Sequence, residues 1–242
     1  MLRRPGHRVR PPDANPDRLG CVMTCAGSRA DARALADRCL ADCRSARQRK
    51  RSSAMRAWPS RASIAPMNAE ELRQLQAPIK ALYKQQPEAA KHLFRACGTL
   101  LPDRPSVRVE TGFARYDAGL HEKAGGNGEE ACSGDLLLES LVACAGVTFN
   151  VVATAMAVPF RSAKVVVEGE GDFRGTLGLA KDAAVGITDI RLRFEVDTDA
   201  GDDQLATLLR LTERYCVIFQ TLRTPPRLSA SVERAAAGGS QP

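Results

Sequence analysis

Leu141 to Phe160 is a run of 20 residues without a single charge, and it leaves the chain two kinds of fold. About 20 apolar residues are enough to cross a bilayer as a helix. A helix buried on all sides inside a protein has the same composition. The run contains Thr148, Asn150, Thr154 and Pro159, lacks flanking aromatic belts, and follows Asp135 and Glu139 closely. Those features argue for burial, and no membrane association is expected. A helix without a polar face needs cover on every side, from sheets wrapped around it or from a second subunit. A homodimer is the expectation.

The chain has 242 residues, 44% of them hydrophobic, which is enough for one sizeable core. Its net charge of +7 is unevenly placed. Residues 1–66 hold 15 Lys and Arg against 5 Asp and Glu, which leaves 20 against 23 for the remainder. A basic tail binds polyanions without any fold, but the body has no net electrostatic reason to do so, and nucleic acid is not an expected partner. Eight cysteines, at 21, 25, 39, 43, 97, 132, 144 and 216, are spaced too unevenly for a small secreted disulfide scaffold. Met1 to Pro12 is rich in Arg and Pro with no apolar run behind it, so no signal peptide is read and the expected setting is cytoplasmic, with reduced thiols.

Four segments are expected. Residues 1–66 read as a basic extension, disordered or lying upstream of a true start at Met67. Within it, Cys21/Cys25 and Cys39/Cys43 form a twin Cx3C pattern that suits a disulfide-stapled helical hairpin or a small metal site. It lacks the close Cx2C spacing of tetrahedral sites, and no metal is expected. Residues 67–98 form a helical lead-in, 99–235 the main domain, and 236–242 a disordered tail.

Asn68 with Glu71 predicts a capping box, followed by a helix to Gln85 on Leu72, Leu75, Ile79 and Leu82. Pro87 opens a second short helix carrying Ala90, Leu93 and Phe94. Val107, Val109, Thr111 and Phe113 alternate as a strand, and Gly119 to Gly128 is a glycine-rich turn. The uncharged helix runs from about Asp135, capped by Ser133 and stopped by Pro159. Lys164 to Phe173 and Gly175 to Leu179 read as a hairpin, and Ile190 to Val196 as a clean strand. An amphipathic helix from Asp202 to Leu222 presents Leu205, Leu208, Leu209, Tyr215, Cys216, Phe219 and Leu222, and Leu228 to Val232 forms a last strand. This order does not alternate regularly enough for a doubly wound parallel sheet. The fold class is α+β, with a mixed or antiparallel sheet around a buried central helix.

Cys144 and Cys216 fall on the two long predicted helices among small or apolar neighbours. One reading is a pair of buried structural thiols. The other is redox chemistry, helped at Cys216 by Arg214 and Arg223 nearby, since a cationic neighbour lowers a thiol's pKa. Cys132, just ahead of the helix start, reads as an incidental loop cysteine or an extra redox thiol. Cys97 has no partner signal, and His121 reads as a solvated loop residue.

The segment Ser133-Gly134-Asp135-Leu136-Leu137-Leu138-Glu139-Ser140-Leu141-Val142-Ala143-Cys144, followed by Thr212-Glu213-Arg214-Tyr215-Cys216 and Thr221-Leu222, resembles the OsmC/Ohr family over roughly Val107 to Val232. The resemblance implies an intertwined homodimer with active sites at the subunit interface. It further implies that Cys144 is the peroxidatic cysteine and Cys216 the resolving one, acting on organic hydroperoxides and regenerated by an external dithiol, with no bound cofactor.

The family's better-studied members carry a Glu ten residues before the first cysteine, holding a catalytic Arg. Here that position is Gly134. Asp135 and Glu139 are the nearest carboxylates, and Arg108 and Arg115 are the candidate arginines, otherwise solvent-facing strand residues. Two further readings follow: a non-catalytic dimer of this type binding a small apolar ligand in an interface pocket, and a redox-sensing body with a basic nucleic-acid tail.

Overall fold

A computed structural model describes residues 67–111 and 114–234. These belong to the compact unit Cys43–Pro242. The twin Cx3C cysteines, the basic extension, Phe113 and the C-terminal tail lie outside the described residues.

Helix α1, Ala69–Gln85, starts as its sequence predicts: Asn68 accepts from the Glu70 and Glu71 amides, and Glu71 accepts from the Asn68 N–H at 3.0 Å. Pro78 lies inside it and removes one ladder bond. Of its apolar face only Leu72 is buried, while Leu75, Ile79 and Leu82 are exposed. Pro87 opens a single 3₁₀ turn, Pro87–Ala90, rather than the expected second helix, and Leu93 and Phe94 beyond it are exposed. Four residues with no buried side chain have no tertiary packing to extend the turn.

A four-stranded sheet follows, with β1 (Cys97–Leu101), β2 (Ser106–Glu110), β3 (Arg115–Gly119) and β4 (Ala131–Cys132) in sequential order. The first three pair antiparallel and β3–β4 is parallel. Between β3 and β4 the chain turns tightly through the glycine-rich segment. A Cβ at Gly126 would stand 1.8 Å from the Leu120 carbonyl oxygen, so only glycine fits there.

The uncharged run belongs to α2, Ser133–Ala155. Its N-cap is Cys132, not the expected Ser133, and no side chain caps it. It ends before Pro159 by a Schellman closure. The Val158 N–H donates to the Ala153 carbonyl (2.9 Å) and the Ala157 N–H to that of Thr154 (3.1 Å), with Ala157 at φ 54°. Burial of Val158 against Phe149, Val152 and Ala153 offsets the cost of holding an alanine in the left-handed region. By length and composition α2 could cross a membrane. Here one face, Leu141, Ala145, Phe149, Val152 and Ala153, is buried, while Val147 is 66% exposed. Among the described residues the cover expected on every side is therefore present on one side.

That buried face lies on a two-stranded antiparallel sheet of β5 (Ser162–Gly171) and β6 (Ile187–Asp197). The segment predicted as the second arm of a hairpin is instead a short helix, α3 (Phe173–Thr176), and a turn. Asp172 caps α3 by accepting from the Arg174 N–H, and this local bond outcompetes strand pairing. The partner of β5 is β6, with Val165 opposite Phe194 and Val167 opposite Leu192. On β6, Ile190, Leu192, Phe194 and Val196 face inward while Arg191, Arg193 and Glu195 face outward, as their alternation predicts.

Helices α4 (Asp202–Tyr215) and α5 (Val217–Arg223) complete the layer. They replace the single helix expected over this stretch. Leu228 and Val232, expected on a final strand, are exposed and outside any regular element. The class is α+β, with a mixed four-stranded sheet and an antiparallel pair, the pair packed against α2.

Candidate functional site

The break between α4 and α5 falls on Cys216, whose φ and ψ of −72° and 110° are extended. Its own N–H still closes α4 on the Thr212 carbonyl at 2.9 Å. Beyond it, the N–H groups of Val217, Ile218 and Phe219 lose the carbonyls a continuous helix would give them. Sulfur takes their place. Phe219 donates to Cys216 Sγ at 3.4 Å, and Cys144 packs against the same cluster, where the Ile218 and Val217 amides lower its thiol pKa. On the other side of the break, the Glu213 carbonyl accepts from the Gln220 side-chain amide at 2.7 Å.

Helix α2 brings Cys144 to this point. Leu141 and Ala145, three residues before and one after it, are buried in the same cluster as Cys216, with Ile218, Phe219 and Leu222 packed around them. Gly146 allows α2 to approach β5 closely: a Cβ there would meet Val165 Cγ2 at 3.3 Å. Cys144 and Cys216 are consequently in side-chain contact, both as free thiols.

The two thiols are electrostatically unlike. Burial pushes Cys144 up, but the Ile218 N–H, the Cys216 thiol, the Val217 N–H and the Thr148 hydroxyl together hold it below the ordinary thiol value. The Thr148 hydroxyl donates to the Cys144 carbonyl at 2.8 Å. Cys216 is fully buried, which pushes its thiol up; the Phe219 N–H offsets this only partly, and Cys144 adds to the rise. Neither Arg214 nor Arg223 contributes to Cys216, against the expectation from their closeness in sequence; the Arg214 guanidinium lies over the Tyr215 ring instead. Cys144 is half-buried. The thiol that reagents can reach is the acidic one.

Because Cys144 is held as thiolate more readily than a free cysteine, its alkylation by iodoacetamide will reach half its limiting rate below the ordinary thiol pH. Cys216 will follow above it. Quenched alkylation across pH, read peptide by peptide by mass spectrometry, checks the order; Cys216 reacting first would contradict it.

The other residues singled out by sequence are not at the thiols. Asp135 and Glu139 are exposed on α2. Arg108 binds Asp117 through two bonds of 2.8 and 2.9 Å, and Arg115 lies 3.4 Å from Glu110, both on the four-stranded sheet. The Asp117 carboxyl is held below its usual value by the Arg108 hydrogen bond. Both candidate arginines are thus engaged with carboxylates of that sheet, away from Cys144 on α2. Cys132 and His121 both line a cavity of about 530 Å³ at the start of α2, where His121 stacks on Phe173 at 4.8 Å. A cavity of about 870 Å³ is lined by Arg104, Arg108 and Arg115 together with Asp117 and Glu130. Among the described residues no three His, Cys, Asp or Glu side chains cluster as metal ligands. Thr148, Val217, Ile218 and Gln220 were not singled out from sequence. Nothing in a run of apolar helix-forming residues marks where its ladder opens.

Residues 126–231 match the family described as OsmC-like protein. The chain carries an OsmC-like domain over these residues. It holds α2, the β5–β6 sheet and both thiols, while α1 and β1 to β3 precede it. Residues 1–45 match L-amino acid ligase C-terminal domain 2, in a stretch outside the described residues. No curated protein matches the chain. Among solved structures, the chain is similar to an OsmC-like protein from Mycoplasma pneumoniae at 17% identity and TM-score 0.47, covering 56% of this chain and 90% of that one. An organic hydroperoxide resistance protein OsmC from Legionella pneumophila aligns at 15% identity and TM-score 0.44, covering 55% and 93%. One from Elizabethkingia anophelis, an organic hydroperoxide resistance protein, aligns at 14% and 0.45, covering 56% and 92%.

Proposed function

We propose that the Cys144–Cys216 pair reduces organic hydroperoxides through a thiol–disulfide cycle. One observation carries the reading: a half-buried thiol with a lowered pKa touches a fully buried thiol with a raised one. The Cys144 thiolate attacks the distal oxygen of the peroxide, the O–O bond breaks, and the alkoxide leaves to be protonated as an alcohol. Cys144 is then a sulfenic acid. The Cys216 thiol condenses with it, water departs, and a disulfide forms. An external dithiol returns two electrons and two protons and restores both thiols. The apolar lining of Leu141, Phe219 and Leu222 suits an alkyl hydroperoxide better than hydrogen peroxide.

A homodimer belongs to this reading. Leu75 and Ile79 of α1 and Val147 of α2 stand exposed in the single chain, and a second copy would cover them. A second function, binding of an apolar ligand without turnover, is favoured by Gly134 and by the engagement of Arg108 with Asp117 and of Arg115 with Glu110. The experiment is disulfide mapping of the reduced full-length chain after one equivalent of cumene hydroperoxide and a rapid quench. Fast appearance of the Cys144–Cys216 disulfide is expected. If both thiols stay reduced in a folded protein, the peroxidase reading fails and the ligand-binding one takes its place.

A further inference from the structure

Resting on the thiol-pair reading above, we propose that Gln220 is a positioning residue: by capping the Glu213 carbonyl it holds open the α4–α5 break, against which Cys144 packs, and so keeps the amides freed there beside the thiol. The argument starts from what a continuous helix would do. The Val217 N–H would donate to the Glu213 carbonyl and the Ile218 N–H to that of Arg214. All the residues from Asp202 to Arg223 are compatible with that helix: the stretch contains no Pro and no Gly. The break at Cys216 therefore needs a compensating cause.

Part of the compensation is Phe219 donating to Cys216 Sγ, as in an N-cap, but sulfur is a weak acceptor. The stronger part is Gln220. Its Nε2 donates to the Glu213 carbonyl at 2.7 Å, seven residues back across the break, at the oxygen that the Val217 N–H would otherwise claim. Its backbone N–H meanwhile opens α5 on the Cys216 carbonyl at 3.0 Å. One residue thus satisfies an acceptor stranded by the break and closes the first turn after it. A half-buried carbonyl left without a donor would draw the Val217 N–H back, and the thiol would lose its donors.

The test uses the full-length chain and the pH profile of Cys144 alkylation, which requires no peroxide. Gln220→Met keeps the length of the side chain and removes the donor. It is expected to move the Cys144 profile to higher pH and to slow alkylation at neutral pH about tenfold, the size of one lost hydrogen bond to a charged group. Val217→Pro supplies the discriminating background. Proline is preformed for the first position of a helix and has no N–H with which to recapture the Glu213 carbonyl, and the extended Cys216 already suits the residue before it. The substitution also takes the Val217 N–H away from Cys144, so its own profile starts at higher pH; with the break locked, adding Gln220→Met is expected to move that profile little further.

An unmoved profile in folded Gln220→Met would overturn the proposal, and so would an equal displacement in both backgrounds. If Gln220→Met alone does not fold, restoration of folding by Val217→Pro supports it, and failure in both backgrounds counts against it. Peroxide turnover is scored separately on the unmodified protein. A chain that shows the Gln220 effect without turnover sinks the peroxidase reading alone, and turnover without the Gln220 effect sinks this inference alone.

Discussion

On the proposed thiol–disulfide cycle, Cys144→Ser will lower peroxide turnover by about a thousandfold or more, the scale on which removing a nucleophile acts, and no peroxide-driven disulfide will form. A serine hydroxyl placed under the Val217 and Ile218 amides is not ionised near neutral pH and cannot attack the O–O bond as a thiolate does. Cys216→Ser will behave differently. Cys144 keeps its amide donors, so the first equivalent of peroxide is consumed at close to the normal rate. The sulfenic acid then has no partner thiol and persists or climbs the oxidation ladder. Stopped-flow peroxide consumption with dimedone trapping distinguishes the two variants. Equal loss of the first turnover in both would mean that the buried thiol is needed for attack, and the assignment of nucleophile and resolver would fall.

Phe149→Ala will destabilise the domain by about 3–5 kcal/mol. Phe149 is 4% exposed, stacks on Phe194 with centroids 4.4 Å apart and meets Phe160 edge-on at 6.1 Å. It thus joins α2 to β6 at the centre of one core cluster, together with Val152, Ala153, Val158 and Leu208. Truncation leaves a cavity that helix and sheet, both regular at this point, relax into only partly. A drop of about 10 °C in Tm is expected for a body of this size. Thermal unfolding followed by circular dichroism is the measurement, and a loss below about 1 kcal/mol would show that this face of α2 is not held by the β5–β6 sheet as described.

Much of this architecture was legible in the residues. The capping box at Asn68 and Glu71, the alternation from Ile190 to Val196 and the uncharged run after Leu141 each announce their element, because a cap, a period of two and a lack of charge are local properties. The failures share a different cause. Gly175 to Leu179 has strand-like composition, yet Asp172 caps a short helix there and β6 takes the place beside β5. Leu228 to Val232 reads as a strand but pairs with none among the described residues, and a strand exists only through its neighbour.

The candidate site divides along the same line. The spacing of Cys144 and Cys216, with the residues around them, pointed to the pair and to an OsmC/Ohr resemblance, and the OsmC-like domain at 126–231 agrees. The helix break could not be read, since every residue from Asp202 to Arg223 accepts a helical conformation. Sequence by itself determined the α+β class, the central apolar helix and the two thiols, because these depend on composition and period along the chain. Only the tertiary structure decided which thiol is acidic. That choice rests on the freed amides of Val217 and Ile218 lowering the Cys144 thiol pKa while Cys216 is left fully buried, and packing between residues more than 70 positions apart has no signature in local sequence.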